Sequence, residues 1–139
     1  MNDIGTWRPS AGPAALCVIS GASYGVHETV VHHPDRIPKS WDQQWWDSRL
    51  SWTNKGDTFL GKTIGSFGTD AKHTFGPIHR WTLYGAGAWE GFIMKGKSED
   101  YSSAYGKKRP AIHYVLDIGF NFAAFSIGFH AAYSLSFKR

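Results

Sequence analysis

Four stretches of the chain carry apolar patterns long enough to build elements. Residues 13–31 (PAALCVISGASYGVHETVV) run without Lys or Arg, near the length a helix needs to cross a bilayer, and Glu28 is their only formal charge. His32, His33 and Pro34, with Pro38 beyond, predict that this helix stops there. Residues 59–75 (FLGKTIGSFGTDAKHTF) are too polar to face lipid freely, whereas 78–94 (IHRWTLYGAGAWEGFIM) are more apolar and keep Arg80 and Glu90 near their ends. Gly76-Pro77 between them predicts two helices or one strongly kinked helix. A polar linker, 95–109, follows, and Pro110 stands where a first helical residue is expected. The last stretch, 111–137 (AIHYVLDIGFNFAAFSIGFHAAYSLSF), is the longest and contains no Lys or Arg. At about 1.5 Å per residue it spans a bilayer with tilt, and Lys138 and Arg139 would anchor its end among headgroups.

That last stretch also supports a rival pattern. Ile118, Phe120 and Phe122, then Phe125, Ile127, Phe129, Ala131, Tyr133, Leu135 and Phe137, alternate with small or polar residues, slipping once at Ala123-Ala124. Two strands of a transmembrane β-barrel alternate in this way, but residues 1–58 do not continue the pattern. Glycine spacing favours helices. Gly21 and Gly25, Gly61 and Gly65, and Gly87 and Gly91 are GxxxG pairs, and Gly119 with Ala123 and Ala124 with Gly128 repeat small-xxx-small. On a helix such pairs make a flat stripe along which two backbones approach closely. The pattern therefore predicts an all-α integral membrane bundle of three or four helices forming one domain over 1–139, with a transmembrane β-barrel or β-rich protein as the alternative.

Composition modifies this picture only slightly. A mean hydropathy of −0.34 describes an ordinary soluble protein, so the membrane argument lies in distribution. Aromatic residues make up 16% of the chain, and Trp41, Trp45, Trp46 and Trp52 gather in the otherwise polar 39–57. On a helix Trp41 and Trp45 would be one turn apart, and such a cluster suits the headgroup layer; an amphipathic helix capping a soluble core is the other reading. The net charge of +4 comes from scattered basic residues, not a stripe, so nucleic acid is not the expected partner. The single Cys17 excludes an intrachain disulfide and reads as a small buried hydrophobe. Arg8 before the apolar Ala14–Ile19 has the outline of a signal peptide, yet the segment is expected to belong to the mature protein.

Ionisable residues inside apolar segments need partners, because an unpaired charge at mid-bilayer costs several kcal/mol. The candidates are His27, Glu28, His32, Asp70, His73, His79, Glu90, Asp117 and His130. Glu28 and His32 are spaced i,i+4 and Asp70 and His73 i,i+3, so each pair would share a helix face. Two such pairs on facing helices resemble the donor sets of bundle metal sites, and imidazole with carboxylate suits Zn, Fe or Mn. A structural hydrogen-bonded network explains the same spacing. Asp117 and His130 lie thirteen positions apart, so one helix face cannot hold both, and Asp117 is expected to pair with another segment. Nothing matches a nucleophile elbow, a P-loop or a dinucleotide fingerprint.

Gly25-Val-His-Glu28, Asp42-Gln-Gln-Trp45, Ser51-Trp-Thr-Asn-Lys55, Thr69-Asp-Ala-Lys-His73 and Gly128-Phe-His130 together resemble a group of small uncharacterised bacterial membrane proteins that share SWxNK and TDAxH motifs. The resemblance covers most of the chain from Gly21 onward; it implies a helical membrane protein and no established activity. The expected function is that of an accessory or structural subunit in the lipid bilayer, packed against other membrane protein subunits. The alternatives are a membrane metalloenzyme, or a metal- or proton-handling protein, using Glu28, His32, Asp70 and His73, and an outer-membrane β-protein.

Overall fold

The computed structural model describes residues 3–47, 49–50 and 70–137, and every regular element among them is helical. A 3-10 turn, Asp3–Thr6, leads into α1, Ala11–His32. A second 3-10 turn, Pro34–Arg36, ends the expected helix where the prolines stand, and a single turn, α2, covers Gln43–Trp46. Two long helices complete the fold: α3, Ala71–Tyr105, and α4, Ala111–His130, which continues as a π-helix over Ala131–Ser136.

The all-α expectation holds for the described residues, and the outer-membrane β alternative is overturned there, because the alternating 118–137 stretch is helical. The reason lies in which positions are buried. On α4 these are His113, Asp117, Ala124 and Gly128, spaced by four, seven and four, which is the period of one helix face and not of a pleat.

The third expected segment differs more. Instead of a helix over 78–94 and a linker over 95–109, α3 runs unbroken for 35 residues, about 52 Å at 1.5 Å per residue. Pro77 removes the N–H that would bond to the carbonyl of residue 73, but it sits in the second turn, and the helix passes through it. The polar residues after Met94 continue the helix because nothing breaks it before Gly106. There φ is +66° and the Gly106 N–H donates to the Ser102 carbonyl, a left-handed cap that glycine adopts without a Cβ penalty. Pro110 is the residue before α4 and not its first helical one.

Helix α1 lies in the middle, antiparallel to α3 and parallel to α4, while the backbones of α3 and α4 stay apart and long side chains bridge them. The middle of its buried face is small and polar, Ser20, Gly21, Ser23, Gly25 and Thr29, with Ala14 and Cys17 before it and Val30 after it. A Cβ on Gly21 would collide with the carbonyl of Phe125, and one on Gly128 with the carbonyl of Val18. The pairs Gly21/Gly25 and Ala124/Gly128 therefore interlock, as their spacing predicts. An added Cβ on Gly87, Gly91 or Gly119 would meet nothing within 4 Å among the described residues.

Large apolar side chains are mostly outside. Phe92 is 80% exposed, Trp81 74%, Phe122 71% and Ile118 63%, whereas one core cluster is built from Ala14, Cys17, Ala86 and Ala124. At the end of the bundle where α1 finishes, Trp41 and Trp45 each lie 4.7 Å from Trp46, with Phe75 and Phe137 alongside. Trp41 precedes α2, so it reaches this cluster through an Asp42 cap that accepts from the Gln44 N–H, not by sharing a helix face with Trp45. The Arg49 side chain donates to Asp47 just beyond α2 and holds its carboxyl below the usual carboxylate range. Trp52, the 51–55 motif, the Gly61/Gly65 pair and most of the 59–75 segment lie outside the described residues.

Candidate functional site

The four expected metal ligands stand as two pairs near the aromatic end. Glu28 lies between two imidazoles of its own helix, 3.9 Å from His27 and 3.7 Å from His32, and the His32 side chain is mostly exposed. Asp70 is the N-cap of α3. Its Oδ1 accepts from the His73 backbone N–H at 2.8 Å, and its carboxylate meets the His73 ring at 2.8 Å. The three-residue spacing thus marks a capping residue and its N3 partner, not two neighbours on one helical face, because Asp70 is itself extended. Among the described residues no group of three or more His, Cys, Asp or Glu side chains is placed to share a metal ion. Losing the cap with Asp70→Ala is expected to cost about 1 kcal/mol, against less for Asp70→Asn, read from thermal unfolding midpoints.

His79 also finds a structural partner. Its Nδ1 lies 2.9 Å from the Ser20 Oγ, that hydroxyl also reaches the His79 carbonyl, and the ring stacks on Tyr24 at 4.7 Å. A serine beside a histidine suggests a nucleophile and its base, but Ser20 is fully buried, so no substrate reaches it. His130 sits on an exposed turn, 3.4 Å from the Ser134 hydroxyl.

The densest chemistry is at the opposite end of the bundle, where the N-terminal segment, α3 and α4 converge on Asp117. This carboxylate is 1% exposed. Its Oδ1 accepts from the Trp7 indole N–H at 2.8 Å and from Lys97 Nζ at 3.0 Å, and its Oδ2 accepts from Arg109 Nη2 at 2.6 Å. Lys97 uses its other two donors on the Ser10 hydroxyl at 2.6 Å and the Arg8 carbonyl at 2.9 Å. Ser10 passes the chain on by donating to Glu90 Oε1 at 3.0 Å, and Asn121 Nδ2 donates to Glu90 Oε2 at 3.1 Å. Because its hydroxyl is spent here, Ser10 caps α1 without a side-chain hydrogen bond.

Two carboxylates and two cations thus form one neutral, hydrogen-bonded unit. Burying either sign alone would cost several kcal/mol, and pairing offsets that cost. Asp117 pairs with other segments, as expected, and Glu90 is drawn into the same network. Sequence reasoning missed Trp7, Ser10, Lys97, Arg109 and Asn121. Two signals pointed to them: Lys97 lies seven residues after Glu90 and Asn121 four after Asp117, each on the same helix face. The first was hidden by ending α3 at Met94.

Two hollows adjoin the network. An apolar groove of about 520 Å³ separates α3 from α4 over Cys17, with Glu90 and Asn121 in its lining. On the other side, a cavity of about 240 Å³ is lined by Trp7, Arg8, Lys97, Asp100 and Arg109 among others. Comparison with family models, curated proteins and solved structures finds no match to this chain, so the geometry described above is what bears on its function.

Proposed function

We propose that this chain is a small integral membrane protein that acts as an accessory or structural subunit, its three long helices packing with one another and against other membrane proteins. The observation that carries this reading is the inverted distribution of side chains: small and charged residues inside, large apolar residues outside. Water would drive Phe92, Phe122 and Ile118 inward, whereas lipid is as apolar as they are and leaves close small-residue contact and polar pairing to hold the helices together. Two helices, α1 and the stretch Ala111–Leu135, are long and apolar enough to cross a membrane. Gly87 and Gly91 line the open groove between α3 and α4, and this flat strip of α3 suits a helix of a neighbouring subunit entering there.

The test is where the protein goes and what an outward charge does to it. The protein should remain with the membrane after alkaline carbonate extraction. Phe122→Lys should impair insertion, since a lysine near a helix centre costs about 2.5–3.5 kcal/mol on insertion scales. A protein fully soluble without detergent, with Phe122→Lys more soluble still, would end the membrane reading.

A further inference from the structure

We propose that the cavity beside Arg109 binds a singly charged phosphodiester, the chemistry of an anionic lipid headgroup. The sequence concentrates positive charge at this end of the bundle. Between 95 and 109 stand Lys95, Lys97, Lys107, Lys108 and Arg109, against Glu99 and Asp100. The fold then takes one of these cations inside. The Arg109 side chain is 3% exposed, its Nη2 held by Asp117 and its guanidinium 4.6 Å over the Tyr114 ring. Its Nη1 is buried and has no hydrogen-bond partner among the described residues.

An arginine arm left without an acceptor inside a protein costs more than a bond made and lost in water, so an oxygen ligand is the expected complement. Across the cavity, Arg8 donates to the backbone carbonyls of Gly5 and Trp7 and has no carboxylate partner among the described residues. Lys97 adds little free charge, being shared by Asp117 and Glu90. Two guanidinium groups approaching from different segments suit a tetrahedral oxyanion, which accepts from several directions, better than a flat carboxylate. Asp100 in the lining repels a dianion, which makes a phosphodiester with one charge the better fit than free phosphate.

The position agrees with a lipid source. The cavity lies where α1 begins and α3 ends, and basic pockets at helix ends are where headgroups of anionic lipids bind. The lipid source rests on the membrane reading above; the phosphate chemistry does not.

The experiment uses the full chain in a non-ionic detergent, with lipid retention followed by native mass spectrometry. The probes are phosphatidylglycerol, whose phosphodiester leaves the headgroup anionic, phosphatidylcholine, whose choline cation neutralises the same phosphodiester, and inorganic phosphate. Wild-type protein should retain phosphatidylglycerol in preference to phosphatidylcholine, and Arg8→Gln should weaken that retention about tenfold. Lys108→Gln, which changes the same net charge on the exposed loop, should leave it within twofold. Arg109→Gln should abolish it; if that variant does not fold, Arg8→Gln still decides. Displacement by millimolar inorganic phosphate would confirm the phosphate chemistry while assigning it to the free ion. Equal retention of both lipids with no phosphate binding, or equal losses in Arg8→Gln and Lys108→Gln, would overturn the proposal. A membrane-bound protein without lipid preference would sink this site alone, and a soluble protein that binds phosphate would sink only the membrane reading.

Discussion

Asp117→Leu is expected to destabilise the folded protein by about 3–5 kcal/mol, because it leaves the buried Arg109, and with it the half-buried Lys97, beside an apolar side chain where both now donate to a carboxylate. The Trp7 indole N–H loses its acceptor in the same change, which frees the N-terminal segment from α4. Thermal unfolding in detergent should show a large fall in midpoint, with cleavage near residues 3–9 under limited proteolysis appearing well below it. The decisive control is the double variant Asp117→Leu with Arg109→Leu. Removing the orphaned guanidinium should recover part of the loss, since a buried pair replaced by apolar groups costs less than half a pair left behind. If Asp117→Leu alone were as stable as the wild type, the carboxylate would not be holding three segments together.

The same residues show where sequence reading succeeds. Helices α1 and α4 were legible because each is a long run free of Lys and Arg, ended by prolines or by the chain's basic terminus, and the observed bounds differ from the expected ones by a few residues. Asp117 and Glu90 were legible as charges needing partners, since they interrupt apolar runs. Their partners were not, because Lys97 and Arg109 lie in a stretch whose polarity reads as a linker. A helix longer than its apolar stretch carries its polar residues onward along the same axis, and hydropathy alone cannot tell that extension from a loop. Asp70 and His73 mark a second limit: i,i+3 is both the spacing of facing side chains and that of a cap with its third residue, and only the backbone at Asp70 separates the two.

Glycines divide in the same way, and a single methyl group is enough to show it. Gly21→Ala is expected to be as damaging as the loss of Asp117, although alanine is the better helix former by roughly 1 kcal/mol. The added Cβ would occupy the place of the Phe125 carbonyl, a backbone atom that no rotamer change can move, so α1 and α4 must part along their whole contact. A Cβ added at Gly25, one turn on, would come within 2.8 Å of the Phe129 carbonyl, so the same close approach of backbones extends along this face. Gly128→Ala should behave alike from the other side, against Val18. Gly119→Ala meets nothing within 4 Å and should leave stability unchanged or raise it slightly. Unfolding of the three variants in one detergent compares them directly: a Gly21→Ala protein that melts with Gly119→Ala would mean that the two helices are not in backbone contact. Gly91→Ala also meets open space, so it should not alter the melting of the isolated chain, whereas in the native membrane it should weaken association if α3 presents that strip to a neighbouring subunit. The sorting of one residue type into internal contact and open groove is thus what separates the packing of this chain from its proposed packing against another.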